Sequence, residues 1–174
     1  MGTIPVLIAI DAESIYNDRS IDVNDNDPSK PTFLDQQQAN TNIVMMTNPK
    51  SRGSVNNAEL KIKAKTSNTI QWRAGTFSLG SEWHTVLYEC VVHSGAHLIR
   101  GTDFVVSPFK VPVPNDGQEK HPLEITDEKV HTAYWTTLAD EEGLVIYTFK
   151  FAIYDRDLNL KGYYSWDPSI EITA

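Results

Sequence analysis

Two clusters of oxygen-bearing side chains hold the densest chemistry in this sequence. Asp22, Asn24, Asp25, Asn26 and Asp27 crowd one stretch, and Asp155, Asp157 and Asn159 stand at alternate positions in another. Hard divalent cations take carboxylate and carboxamide oxygens, so calcium is the ion these clusters would bind. The second cluster has the spacing of the first three ligands of an EF-hand loop. Leu160 stands where that loop requires glycine, and Trp166 where it requires a bidentate glutamate. The same residues suit a hairpin turn closed by its own Asp and Asn side chains.

A third group follows the apolar run Ile4–Ile10, which ends in Asp11-Ala12-Glu13. A buried strand ending in an acid is how many phosphoryl-transfer and metal-dependent α/β enzymes begin, so one reading is a hydrolase using Asp11 and Glu13. It requires helices crossing between parallel strands, and no amphipathic helix of that kind is evident. Tyr163 lies on the opposite parity from Tyr164 and Trp166. An exposed aromatic beside carboxylates can stack on a sugar ring, so the acidic loops with Tyr163 make a calcium-dependent carbohydrate-binding reading, and Asp11, Glu13 and Tyr163 are the ligand-binding candidates; a cross-strand pair is the simpler role for Tyr163. Cys90-x2-His93-x3-His97 imitates zinc spacing without an evident fourth ligand. No Ser/His/Asp arrangement follows from spacing, and neither GxGxxG nor a Walker A loop occurs.

The elements that must position these residues read as strands. In Gly143–Ile172, Val145, Tyr147, Phe149, Phe151 and Ile153 fall on one side, and Leu160, Gly162, Tyr164, Trp166, Ile170 and Ile172 share one parity after the turn 155–159. That period of two predicts a long antiparallel hairpin with one buried face. Ala58, Leu60, Ile62 and Ala64 alternate with charged residues in the same way, and Ile70 and Trp72 alternate with Gln71 and Arg73. Ile4–Ile10 and Trp83–Val92 are apolar on both parities, which predicts strands covered on both faces, the second of them central. Phe104–Val106 and Phe109–Val113 are broken by Pro108, Pro112 and Pro114 and belong on an edge or in a loop. Single helical turns are expected at 12–17, 126–130 and 138–142, and long polar insertions at 17–41 and 115–128. The fold class is therefore all-β: a single-domain antiparallel β-sandwich with long polar loops and little helix, of eight or nine strands.

Composition narrows the function. The chain has 174 residues and a formal net charge of −8, which disfavours nucleic acid and anionic membrane surfaces as partners. A single cysteine forms no internal disulfide. No run approaches the length of a membrane helix and no signal peptide is seen, so a cytoplasmic location is expected. A two-layer sandwich leaves strand edges open, which predicts a homo-oligomer.

Three stretches resemble one known family. VLIAIDAESI near the start, AELKIKAKTSNTIQWRAGTFSL in the middle and IYTFKFAIYDRDLNLKGYYSWDPSIEI at the close are similar, in the same order and nearly end to end, to the bacterial inclusion-body protein family that includes PixA and AidA. The most specific piece is GYY-x-WDP, Gly162–Pro168, supported by Ile10–Glu13 and Ile70–Arg73. The resemblance implies one β-sandwich domain over 1–174 in a proteobacterium. It also implies accumulation in intracellular inclusions, or expression under quorum-sensing control with a link to host interaction and virulence. It supplies no catalytic residues. PixA-like inclusion proteins are methionine-rich, whereas this chain has only Met1, Met45 and Met46, so the AidA-like branch fits better. The leading expectation is a non-catalytic protein that associates with itself or with a partner such as a glycan or a host protein.

Overall fold

The computed structural model describes residues 2–21, 27–48, 50–78, 81–115 and 125–173, with the backbone alone over 52–56. Among them the order is β1 (Thr3–Ile10), α1 (Ala12–Asn17), β2 (Thr32–Phe33), α2 (Gln36–Asn42), β3 (Ile43–Thr47), β4 (Arg52–Asn56), β5 (Glu59–Lys63), β6 (Thr69–Thr76), β7 (Trp83–Ser94), β8 (Ile99–Pro114), β9 (Ile125–Ala139), β10 (Gly143–Asp155), β11 (Leu160–Trp166) and β12 (Ser169–Thr173). A 3-10 turn at Ala96–Leu98 joins β7 to β8.

The strands form two sheets. The first runs β3-β1-β6-β9-β8. In the second, β10 pairs along one edge with β7 and along the other with β11 and then β12; β2 flanks β11, and β5 and β4 follow β12. β11 and β12 are one strand interrupted at Asp167-Pro168. Pro168 has no N–H to give, and its carbonyl still accepts from the Tyr147 N–H at 3.2 Å.

The predicted hairpin is β10–β11. Phe151 stands opposite Tyr164 and Phe149 opposite Trp166, and all four side chains are buried. The inner face of the first sheet supplies Ile4, Val6, Ile8, Ile10, Ile70 and Trp72 to the same core. Trp72 meets Tyr147 and Phe149 of the second sheet at 5.8 Å each, a tilted and an edge-on contact of the kind aromatic quadrupoles favour. The all-β class with little helix is what the molecule has.

The sheets are mixed, not purely antiparallel. β1 runs parallel to β6, β12 to β5 and β11 to β2. Three further expectations are corrected. β1 buries alternate residues and leaves Leu7 exposed beside Met46, so one face alone is covered. β7 lies at a sheet edge, with β10 as its strand neighbour; its register shifts between Leu87 and Glu89, and this bulge at Tyr88 changes which parity faces inward. Residues 126–130 extend β9 because pairing with β8 overrides their local preference, and the stretch 138–142 is the end of β9 and the turn into β10. The segments around Pro108 and Pro112 lie on an edge, as expected, within one continuous strand, β8.

Helix α1 matches its predicted turn. Helix α2 arises inside a stretch read as loop. Its start is a capping box: Asp35 accepts from the Gln38 N–H at 2.8 Å, and Gln38 accepts from the Asp35 N–H at 3.0 Å.

Candidate functional site

The acid that ends β1 serves a helix. Asp11 is the N-cap of α1, with one carboxylate oxygen accepting from the Ser14 N–H at 3.0 Å and the other from the Ser14 hydroxyl at 2.9 Å. Glu13 sits exposed in the first turn, where a negative charge suits the helix dipole. Both oxygens of Asp11 are thus held within the cap.

Asp155, Asp157 and Asn159 do come together, at the β10–β11 turn. Asp155 Oδ1 accepts from the backbone N–H groups of Asp157 (3.0 Å) and Asn159 (2.9 Å) and from Asn159 Nδ2 (3.1 Å). Its Oδ2 accepts from Asn159 Nδ2 at 3.0 Å and pairs with Lys161 Nζ at 2.9 Å. These bonds, the Asn159 amide first and Lys161 next, hold the Asp155 carboxyl well below the usual carboxylate range. Lys161 also lies 5.9 Å from the Tyr16 ring, which contacts Trp83, so α1 and β7 are fastened to the hairpin tip. Asp22, Asn24, Asp25 and Asn26 lie outside the described residues. Asp27 is described; its Oδ1 accepts from the Ser29 hydroxyl and N–H, which lower its pKa. Among the described residues, no three His, Cys, Asp or Glu side chains gather as a metal group.

Tyr163 lies on the outer face of the second sheet, opposite Ala152. Its ring meets Tyr88 of β7 edge-on at 5.6 Å, across the intervening strand β10 and not from a directly paired strand, and Ala152 is buried on this outer side of β10. The Tyr88 hydroxyl donates to the Pro28 carbonyl at 2.8 Å, tying the chain after Asp27 to the sheet. Burial first, then Glu89, pushes the Tyr88 hydroxyl up to about 12.

The same face carries a polar row that spacing did not reveal. The Thr148 hydroxyl donates to Asp167 at 2.5 Å, and His93 Nε2 lies 2.6 Å from that hydroxyl. Because Thr148 gives its proton to Asp167, the His93 ring nitrogen is the donor to Thr148. Lys150, two residues along β10, pairs with Glu89 at 2.8 Å. The three row members lie 55 and 19 residues apart in sequence, so only the register of β7, β10 and the Asp167 corner discloses them. Cys90 faces the other way, into the core, and burial pushes its thiol up to about 12.

A second region stands apart from the core. β6 pairs with β9 from Thr69↔Leu138 to Trp72↔Trp135 and then continues beside β1 alone. β8 and β9 go on as a two-stranded ribbon from Val105↔Tyr134 to Pro114↔Ile125, about 33 Å long at 3.3 Å per residue. No residue of 105–114 or 125–134 is buried, and Val106, Phe109 and Ile125 are exposed. At its root Phe104 packs on Trp135, whose indole N–H donates to the Leu87 carbonyl at 3.2 Å. There a groove of about 250 Å³ opens between Trp72, Leu87, Phe104 and Trp135.

Two mixed sheets around an aromatic core, with a projecting edge ribbon, define an all-β sandwich protein. Residues 2–172 match the family model PixA, described as inclusion body protein, and the chain belongs to that family. It is similar to the crystal structure of an inclusion body protein (PixA) from Burkholderia cenocepacia J2315, with a TM-score of 0.76 and 19% identity, over 99% of this chain and 96% of that one. A structure of PbICP-C in complex with falcipain-2 aligns at a TM-score of 0.27 and 10% identity, over 66% of this chain and 88% of that one, and carries no argument. No curated protein matches the chain. Among the described residues, no helix is long and apolar enough to cross a membrane.

Proposed function

We propose that this chain is a non-catalytic, self-associating protein whose business is assembly into protein inclusions within the cytoplasm. The observation that carries the reading is the β8–β9 ribbon. Among the described residues the ribbon has no third strand beside it, and beyond the Arg73 guanidinium over Tyr134 at its root no layer covers it; such a two-stranded ribbon is marginally stable in water. This one holds no buried residue, yet it carries exposed Val106, Phe109 and Ile125, so covering it is the gain that assembly offers. Membership of an inclusion body family points the same way. Sedimentation velocity from low to high micromolar concentration should show an oligomer; monomer throughout refutes the reading. Control by quorum sensing and a part in host interaction belong to the same proposal, and rest on the likeness to AidA-like proteins. They are tested by following expression with and without autoinducer.

A second reading, a calcium-dependent carbohydrate-binding module, draws on one observation. The Tyr88–Pro28 bond brings the end of the Asp22–Asp27 stretch to the face that carries Tyr163. A glycan array probed with and without calcium tests it, and binding that ignores chelator sinks the calcium part.

A further inference from the structure

The ribbon has two edges, and they differ. On the β8 edge, Pro108, Pro112 and Pro114 share one parity. A proline within a ladder sits where its nitrogen faces away from the partner strand. All three therefore face the outer edge and leave it only the N–H donors of Val106 and Lys110, which hinders another strand from adding there. Residues of β8 with that parity stand opposite Ile125, Asp127, Lys129, His131 and Ala133 of β9. In an antiparallel pair, opposed residues point their backbone groups the same way relative to the ladder, both toward the partner strand or both away. These β9 residues therefore turn their N–H and C=O groups to the far side. β6 has already left β9 at Trp135, and residues 125–134 contain no proline. Among the described residues, one edge of the ribbon is hindered by prolines and the other is open.

We infer that the open edge of β9, from Ile125 to Ala133, is the seam at which two copies of this chain join, antiparallel about a two-fold axis, into one β8-β9-β9-β8 sheet. This rests on the self-association reading above and assigns it to a place. A seam on a two-fold must suit itself, and charge together with the length of edge free of β6 selects the register. Centring the axis on Asp127, Glu128 or Lys129 would set a charge against its own copy. Centring it on Val130 sets Lys129 against His131 of the second copy, Glu128 against Thr132 and Asp127 against Ala133, with no like charges directly opposed. That register gives about eight backbone hydrogen bonds, two for each of four facing pairs, within the range of a typical interface. The ribbon also suits a second copy by its net charge. The chain carries −8, whereas in 105–114 and 125–134 Lys110 and Lys129 balance Asp127 and Glu128. With the axis at Val130, the two ribbon roots near Trp135 stand about 33 Å apart, beyond the screening length of roughly 8 Å at physiological salt. The acidic bodies are held clear of each other while neutral strands meet.

The test uses the full chain. Wild type should sediment as a dimer or larger species. The double variant Lys129→Pro/Ala133→Pro removes only outward-facing donors and leaves the β8 ladder in place; it should sediment as monomer at the same concentration, with unchanged near-ultraviolet circular dichroism from the tryptophan core. Independently, Val130→Cys would place two Cα atoms about 4.5 Å apart across the axis, within disulfide reach, and should give a cross-linked dimer on mild oxidation, whereas Ser107→Cys on β8 should not. If the proline variant still oligomerises and Val130→Cys does not cross-link, the seam is elsewhere while self-association stands. If wild type is monomeric at high micromolar concentration, both readings fall.

Discussion

Phe149 of β10 faces Trp166 of β11 in register, with ring centroids 5.6 Å apart, and Trp72 from the opposite sheet meets Phe149 edge-on at 5.8 Å. One ring from each of three strands thus closes the centre of the core. The motif GYY-x-WDP contributes Trp166 to this contact, so its tryptophan is a packing residue.

Trp166 is 1% exposed. Trp166→Ala should destabilise the protein by about 3–5 kcal/mol, as large aromatic truncations in cores do. Among the described residues, the buried Trp166 Nε1 has no hydrogen-bond partner. Trp166→Phe keeps a ring in place and removes that unsatisfied donor, so it should lose less. Urea unfolding of both variants checks the order.

Stability should fall in acid at the β10–β11 turn. The folded-state pKa of Asp155 lies below its unfolded value, which is about 3.9. Such a group contributes stability that is fully present above the unfolded value and is lost as pH falls toward the folded one. Asp155→Asn should flatten the dependence of the melting temperature on pH below about 4. An unchanged slope would show that the turn carboxylate is not linked to folding.

Cys90 should resist alkylation in the native state. With its thiol pushed up to about 12, first by burial and then by Glu89, the thiolate fraction near pH 8 is lower than that of a free cysteine by on the order of a thousandfold. Labelling with iodoacetamide should track unfolding in urea. Fast labelling of folded protein would contradict the burial.

Asp11→Ala should cost about 1 kcal/mol, the worth of an N-cap, and Glu13→Ala close to nothing in stability. If Asp11 acts as a cap, Asp11→Ser should recover most of the loss, because serine caps a helix as well. Failure of that rescue would reopen a chemical role for the carboxylate.

The core was legible in the sequence wherever one face is buried and the other wet. The alternation at Val145–Ile153 and at Ala58–Ala64 appears as alternate burial. Strand direction was not legible, because a period of two is the same for parallel and antiparallel neighbours, so β1–β6 and β12–β5 escaped. The bulge at Tyr88 hid the edge position of β7. Helix α2 left a signal that could have been used: Asp35 three residues before Gln38 is a capping-box spacing. The His93–Thr148–Asp167 row left none, since its spacing reflects register alone. The resemblance identified the family, which residues 2–172 confirm, but not the ribbon, whose length is set by how far β8 and β9 outrun β6.

The placement of β11 and β12 bears on how the chain folds. They follow every other strand of their sheet in chain order, yet they lie in its middle, with β10 on one side and β2 and β5 on the other. While the chain is being made, β2, β4 and β5 have no link to β10 until residues 160–173 arrive to bridge them. Contacts of such long sequence separation form slowly. Until then, apolar strands with open edges persist, and these are the features that draw partly folded chains together. The order of synthesis thus gives this fold a kinetic route into aggregates, separate from any seam in its finished form.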